Sequence, residues 1–161
     1  MSDSGSGVAS PTVTVAAPTT AVGAGAVDVT ASDVAGNTTT VSCAHKVQYR
    51  FVGLAATVSE SKTNVVKAGR SLELGWWLAD YAYKPVSTTA SFSGATTTPV
   101  ACPAGATSTP LVTTTASGYQ SLGLGLHLYS WKAPSSLVGQ CAQVTVNLAD
   151  GTSHSIVAKV K

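Results

Sequence analysis

Apolar and polar residues alternate along most of the chain, in short runs that are followed by residues typical of turns. A period of two is the pattern of a β-strand with one buried face. The clearest runs are Val27–Thr30, Thr38–Cys43, Val47–Val52, Leu72–Leu78, His127–Trp131, Gln143–Leu148 and His154–Val160. No longer stretch repeats apolar positions with the helical period of about 3.6 residues. The pattern therefore predicts an all-β protein, a sandwich or barrel of short strands.

Two pairs of these runs are predicted to form hairpins. Gly36-Asn37 separates the first pair and Asp150-Gly151 the last, and both dipeptides favour tight turns between antiparallel strands. The region 85–118 is rich in Thr, Ser, Pro and Gly, and it holds two weaker strand candidates, 90–93 and 98–102.

The composition predicts a surface with many hydroxyl groups and few charges. Only 10% of the residues are charged and the formal net charge is +2, whereas Ser and Thr together number 42. So little charge provides no strong field to attract nucleic acid or an anionic membrane. No segment has the roughly 18 consecutive apolar residues that a membrane span requires. We therefore expect no nucleic-acid partner and no membrane partner.

Residues 1–25 are predicted to form an extended N-terminal arm. They carry one charge, and prolines flank their one short strand candidate, 13–15. The alternative is a flexible tail, since such a segment buries little surface on its own. As an arm, it would contact neighbouring subunits through Val13, Val15 and Val22. The first residues have neither the basic nor the apolar region of a secretory signal, so we expect no export signal there.

Two parts of the sequence resemble modules of bacterial proteins. Thr30–Thr38 resembles the last hairpin of bacterial Ig-like repeats, which commonly contains T-A-x-D-x-A-G-N. The sequence after it resembles the PxKF module, found near the C-termini of exported bacterial proteins, especially actinobacterial ones. The matching segments are Tyr49–Leu54, Asn64–Gly69, Val100–Cys102, Tyr129–Lys132, Gly139–Cys141 and Leu148–His154.

The signature of that family is changed in this chain. Glu73-Leu74-Gly75-Trp76 stands where the family has P-x-K-F, so only the aromatic residue is kept in kind. Cys141-Ala142 stands where the family has Cys-Arg. The resemblance implies a β-sandwich accessory module, and it implies no catalytic residue.

The resemblance also bears on the cysteines. Cys102 and Cys141 match cysteines of the family, which implies a disulfide between them; two buried free thiols are the alternative. A loop of about 40 residues closed in this way would add roughly 3–4 kcal/mol of stability. The partner of Cys43 would lie in the missing part of the preceding Ig-like repeat, so we expect Cys43 to be a buried thiol.

Three parts follow from these patterns. They are an arm (1–25), a β-hairpin (26–45) and an Ig-like β-sandwich (46–161). A complete Ig-like domain needs roughly 100 residues, so the hairpin lacks most of its own sandwich. It either packs on 46–161 or is completed by another chain through strand addition.

Candidate catalytic and metal-ligating groups are few and scattered. Glu60, Glu73 and Asp80 could meet in space, but nothing in their spacing requires a catalytic pair. Asp33 and Asp150 fall in predicted turns, where a hydrogen-bonding role is favoured over calcium binding. We expect the three histidines to be structural; they are His45, His127 and His154. We expect no enzyme, no cofactor and no metal.

An aromatic cluster is the main candidate for a contact site. Trp76 and Trp77 are adjacent in a predicted strand, so one side chain points to the core and the other outward. We take Trp77 as the outward residue; near Tyr81 and Tyr83 it could anchor an interface or stack on a sugar ring, for example of a host-wall glycan. The alternative is burial of both faces.

These expectations favour a non-enzymatic structural protein of a phage virion. It would be an Ig-like decoration, minor capsid or tail surface protein on the virion surface. Its arm would bind the major capsid protein or neighbouring subunits, in a homo-oligomeric arrangement. The alternative is a stalk or adhesion module of a secreted or cell-surface bacterial protein.

Overall fold

Regular structure in the chain is almost entirely β-strand, as the alternating pattern predicts. A computed structural model describes residues 5, 7–9, 12–18, 21–55, 58–102, 113–115 and 118–161. Within these ranges there are eleven strands, two short 3₁₀ turns and no α-helix. The chain divides into two compact units, Met1–Val47 and Gln48–Lys161. We call them the hairpin unit and the sandwich unit.

The hairpin unit contains two long strands, β1 (Gly23–Ser32) and β2 (Thr38–Val47), paired antiparallel along their whole length. The predicted hairpin is confirmed, although β1 begins inside the segment predicted as arm. Asp33 closes the turn, because its carboxylate accepts the backbone N–H of Asn37 at 2.8 Å and the side-chain amide of Asn37 at 2.7 Å. Asp33 thus has the turn role that the sequence predicts for it.

The sandwich unit contains the other nine strands. They are β3 (Arg50–Ala55), β4 (Asn64–Val66), β5 (Ser71–Ala79), β6 (Phe92–Val100), β7 (Thr113–Thr115), β8 (Tyr119–Gly123), β9 (Leu126–Lys132), β10 (Cys141–Leu148) and β11 (Ser153–Val160). One sheet has the order β3-β5-β9-β8, and the other has the order β4-β11-β10-β6-β7. All pairs are antiparallel except β4 with β11. The first order corresponds to strands A-B-E-D of an immunoglobulin domain, and the second contains G-F-C. The predicted all-β, Ig-like sandwich is confirmed.

The core lies between these two sheets. Every second residue of the central strands points inward and is buried, as a half-buried strand requires. The apolar side chains with almost no exposure include Leu74, Trp76, Leu78, Tyr129, Val144, Val146, Ile156 and Val160. The pair Trp76 and Trp77 follows the prediction, since Trp76 is 2% exposed while Trp77 is on the outer face and half-buried.

Aromatic rings and a histidine fill one part of the core around Trp76. The rings of Phe51, Phe92, Tyr119 and His127 have centroids 6.5, 6.1, 6.0 and 5.6 Å from that of Trp76. His127 is itself buried, and its Nε2 donates to the backbone carbonyl of Val86 at 2.7 Å. Its Nδ1 therefore accepts the hydroxyl of Tyr119, also at 2.7 Å. This histidine has the structural role that we expect from the sequence.

Two predicted strands have different bounds in the structure. The run Val47–Val52 is interrupted, because the backbone N–H of Tyr49 donates to the carboxylate of Asp150 at 2.7 Å instead of continuing a ladder. The run therefore supplies the end of β2 and the start of β3. The candidates 90–93 and 98–102 belong mainly to one strand, β6, which pairs with β10 from Phe92 to Val100.

Candidate interaction surfaces

The hairpin unit has one apolar face and one polar face. Residues directly opposite in the ladder share a face, and the pairs Val27 with Cys43 and Val29 with Val41 lie on the same side. The opposite side carries the charged groups and most of the hydroxyl groups, such as Asp28 opposite Ser42. The apolar face, which we define as Gly25, Val27, Val29, Ala31, Val41, Cys43 and His45, has no formally charged residue at neutral pH.

The arm lies next to this face. Val13, Thr14, Val15 and Ala17 line a groove of about 310 Å³ together with residues of the hairpin, among them Val27, Val29, Cys43 and His45. The arm covers the apolar face only in part, since Val13 and Val15 themselves are still 41% and 47% exposed. Val22, the third predicted contact residue of the arm, is half-buried just before β1 and does not line the groove.

The cysteines separate into one bonded pair and one thiol. The structure joins Cys102 to Cys141 by a disulfide, with the two Cα atoms 5.5 Å apart. It ties the segment after β6 to the start of β10, next to the paired residues Val100 and Cys141. Cys43 is a free thiol and is exposed, so the expectation that it is buried was wrong. The physical reason is that Cys43 lies on one face of a two-stranded ribbon, and the described residues of the hairpin unit cover that face only in part.

A second apolar surface lies on the outer face of the four-stranded sheet. Val52, Trp77 and Leu126 are direct neighbours across β3, β5 and β9. Leu122 of β8 and Leu124 of the turn between β8 and β9 extend this row and are highly exposed. We call these five residues the Trp77 patch. The alternating pattern predicts an outward tryptophan in this strand but does not indicate the three leucines, because their place beside Trp77 depends on which strands pair.

The turn after β8 holds Leu124 in an unusual conformation. Leu124 has φ 51°, and Gly123 and Gly125 on either side also have positive φ. The left-handed region is disfavoured for a leucine, and Asn or Gly is the usual residue in such a turn. Leu124 is nevertheless 81% exposed. A sequence signal for this exposed site was the Gly-Leu-Gly triplet, which is itself typical of a tight turn.

Tyr81 and Tyr83 lie in the turn after β5 and are not part of the Trp77 patch. The Asp80 carboxylate holds this turn by accepting the backbone N–H groups of Ala82 and Lys84, at 2.8 and 2.9 Å. Both tyrosines are more than half exposed. The guanidinium carbon of Arg50 lies 3.9 Å from the centre of the Tyr83 ring, a cation–π contact on the adjacent strand.

The acidic residues that could have formed a catalytic pair have separate hydrogen-bonding partners. Glu60 accepts the backbone N–H of Leu54 at 2.7 Å, and Glu73 accepts the hydroxyl of Ser130. Asp80 serves the turn just described. Within the described ranges, no group of three or more His, Cys, Asp or Glu side chains is placed to hold a metal ion. The geometry gives these carboxylates structural partners.

Acid is expected to weaken the sandwich unit through two histidines. Burial lowers the pKa of His127 below its ordinary value of 6.5, and the hydrogen bond to Val86 opposes this effect. Burial also lowers the pKa of His154, which the charges of Glu60 and Asp150 oppose. The unfolded chain therefore binds protons more readily at both sites. Their contribution to stability is complete above about pH 6.5 and is lost progressively as the pH falls below that value.

Thermal unfolding followed between about pH 7.5 and pH 5 measures this effect. We expect the melting temperature to fall with pH, and to fall less steeply in His127→Gln. Glutamine can still donate to the Val86 carbonyl but does not titrate. An equally steep pH dependence in that variant would contradict the role given to His127.

No family model matches the chain, and no curated protein matches it either. Among the described residues, no helix is long and apolar enough to cross a membrane.

Proposed function

We propose that the chain is a non-enzymatic structural protein of a bacteriophage virion, on the capsid or tail surface, attached through its hairpin unit. The observation that carries the proposal is the contrast between the two units. The sandwich unit has a closed core and a disulfide. In the hairpin unit, among the described residues, Ala31 alone is buried.

The hairpin unit has the properties expected of an attachment element. A two-stranded hairpin is marginally stable on its own in water. Its apolar face gains stability when another surface removes that face from water. A major capsid protein or a neighbouring subunit would supply this surface, and the arm residues Val13 and Val15 would be covered with it.

The sandwich unit would then project from the particle. Its surface is rich in hydroxyl groups and poor in charge, which suits a module that is exposed to solvent without attracting polyanions.

A stalk or adhesion module of a cell-surface protein is the second candidate. The observation that favours it is the disulfide between Cys102 and Cys141, since disulfides persist mainly in oxidising, extracellular surroundings. The two candidates differ in where the chain is found. A virion protein copurifies with particles, whereas a stalk remains with the cell envelope or the medium.

Fractionation of a lysate from the bacteria that make the chain tests the proposal. We expect the chain to sediment with density-purified phage particles, and Val29→Asp to release most of it into the soluble fraction. The matched control is Ala26→Asp, which adds the same charge on the opposite face of β1 and should stay particle-bound. Recovery of the wild-type chain in the envelope fraction alone would contradict the proposal and support the stalk.

A further inference from the structure

The Trp77 patch has the layout of a protein interface. Its centre is a row of apolar side chains, Val52, Trp77 and Leu126, in register across three strands. Polar and charged residues of the same strands surround it, among them Glu73, Gln120 and Lys132. An apolar centre within a polar rim is the usual anatomy of a protein–protein contact.

The turn that carries Leu124 is rigidly anchored. The Trp77 indole Nε1 donates to the Leu124 carbonyl, and the Leu78 amide donates to the Gly125 carbonyl, both at 2.8 Å. The Gly125 amide donates to the Ser87 hydroxyl at 2.8 Å. A Cβ on Gly125 would lie 2.5 Å from the Leu78 carbonyl oxygen, so a side chain there would displace the turn.

This anchoring keeps an apolar side chain in water at a backbone conformation that leucine disfavours. Both the strain and the exposure would be relieved by asparagine or glycine. Backbone strain held in place by surrounding hydrogen bonds is typical of functional sites. The arrangement is therefore explained best if the Leu124 side chain is buried by a partner.

The chemistry of the patch argues for protein rather than sugar as that partner. A sugar needs hydrogen-bonding groups around the aromatic ring, but Val52, Leu122, Leu124 and Leu126 have none in their side chains. The one polar side-chain atom of the patch, Nε1 of Trp77, already donates to Leu124. A glycan stacked on Trp77 would therefore find hydrogen-bonding side chains only in the rim, beyond the aliphatic residues next to the ring.

The size and charge of the face fit a second copy of the chain. Four strands about 4.8 Å apart, with lengths of about 16 to 30 Å, give a flat area of roughly 430 Å² before side-chain relief is added. A specific protein interface buries roughly 600–1,000 Å² of accessible surface per partner, which this face approaches once the relief of its side chains is counted. The patch carries no charge, so two copies can meet across a two-fold axis without repulsion at the centre.

The alternation of small and large side chains on this face also suits packing against an identical face. Gly75 lies on this face opposite Leu128, and Gly123 lies opposite Leu126, so small residues alternate with large ones. Two sheets that pack face to face require side chains of one to enter gaps in the other. We propose that the Trp77 patch binds the same patch of a second copy, forming a two-fold symmetric dimer through the four-stranded sheets.

Sedimentation velocity of the full chain from micromolar concentration upward tests this dimer. We expect wild type to dimerise, and Leu124→Asn to raise the dissociation constant by about 100-fold or more, because a symmetric dimer loses the contact twice. The same variant should melt at an equal or higher temperature, since asparagine suits the left-handed turn. Loss of association together with retained stability separates an interface role from a folding defect.

Three further variants complete the test. Leu126→Asn should also weaken the dimer, while Val138→Asn, which changes an exposed valine in another turn, should not. Val29→Asp, which tests the hairpin unit as the attachment element, should dimerise normally, so the two proposals can fail separately. A wild-type monomer at all concentrations, or a Leu124→Asn dimer as tight as wild type, would overturn the inference. A tight complex between tagged Leu124→Asn and wild type would overturn the two-fold arrangement.

Discussion

Replacing Trp76 with alanine is expected to lower the free energy of unfolding of the sandwich unit by about 3–5 kcal/mol. The Trp76 ring is almost fully buried and contacts rings from both sheets, including Phe51 and Phe92. Its removal leaves a cavity that these stiff aromatic neighbours cannot fill. Denaturant unfolding followed by circular dichroism would measure the loss.

Two matched variants show where the loss arises. Trp77→Ala changes the adjacent residue on the outer face and should cost about 1–2 kcal/mol, since it removes a half-buried ring and one hydrogen bond. Trp76→Phe should cost less than Trp76→Ala. It keeps an aromatic ring and removes Nε1, a buried donor with no hydrogen-bond partner among the described residues. Equal losses for Trp76→Ala and Trp77→Ala would contradict the placement of Trp76 at the centre of the core.

Removing the disulfide is expected to be nearly as damaging. In the double variant Cys102→Ser, Cys141→Ala the unfolded chain regains the freedom of a loop with 39 residues of separation. The expected loss is about 3–4 kcal/mol. For a unit of this size the melting temperature would fall by about 10–20 °C. Alanine is chosen at Cys141 because that side chain is buried, whereas Cys102 is exposed.

Thiol titration of the native chain without reductant provides the control for this prediction. We expect one reactive thiol, that of Cys43, and three after unfolding in reductant. The variant Cys43→Ser should show none and should melt at the wild-type temperature of the sandwich unit. Three thiols in the native, unreduced chain would contradict the bonded pair.

The parts of the fold that the sequence predicts are those in which local pattern and tertiary environment agree. The last hairpin is one example, because Asp150-Gly151 fixes the turn and both flanking runs alternate. Val47–Val52 was predicted as one strand, but the structure divides it between β2 and β3. The hydrogen bond that interrupts it, from Tyr49 to Asp150, joins residues about a hundred positions apart. No local pattern could indicate that contact.

The candidate surfaces were predictable to a smaller extent. Adjacent tryptophans in a strand must point to opposite faces, which predicts that one of Trp76 and Trp77 is outward. Whether Leu122, Leu124 and Leu126 join it depends on which strands are neighbours, and only the order β3-β5-β9-β8 decides this. The exposure of Cys43 likewise depends on what packs against its face of the hairpin unit, which the alternating run does not indicate.

The parallel pairing of β4 with β11 determines how the sandwich unit responds to a pulling force. When Gln48 and Lys161 are drawn apart and β3 has been released, the load passes along β4 in one direction and along β11 in the other. The bonds from Lys161 to Val66 and from Ala68 to Lys161 then lie across the direction of sliding. These hydrogen bonds must therefore break at the same time rather than one after another. We therefore expect the edge strand β4 to resist extension of the sandwich unit until these bonds are broken.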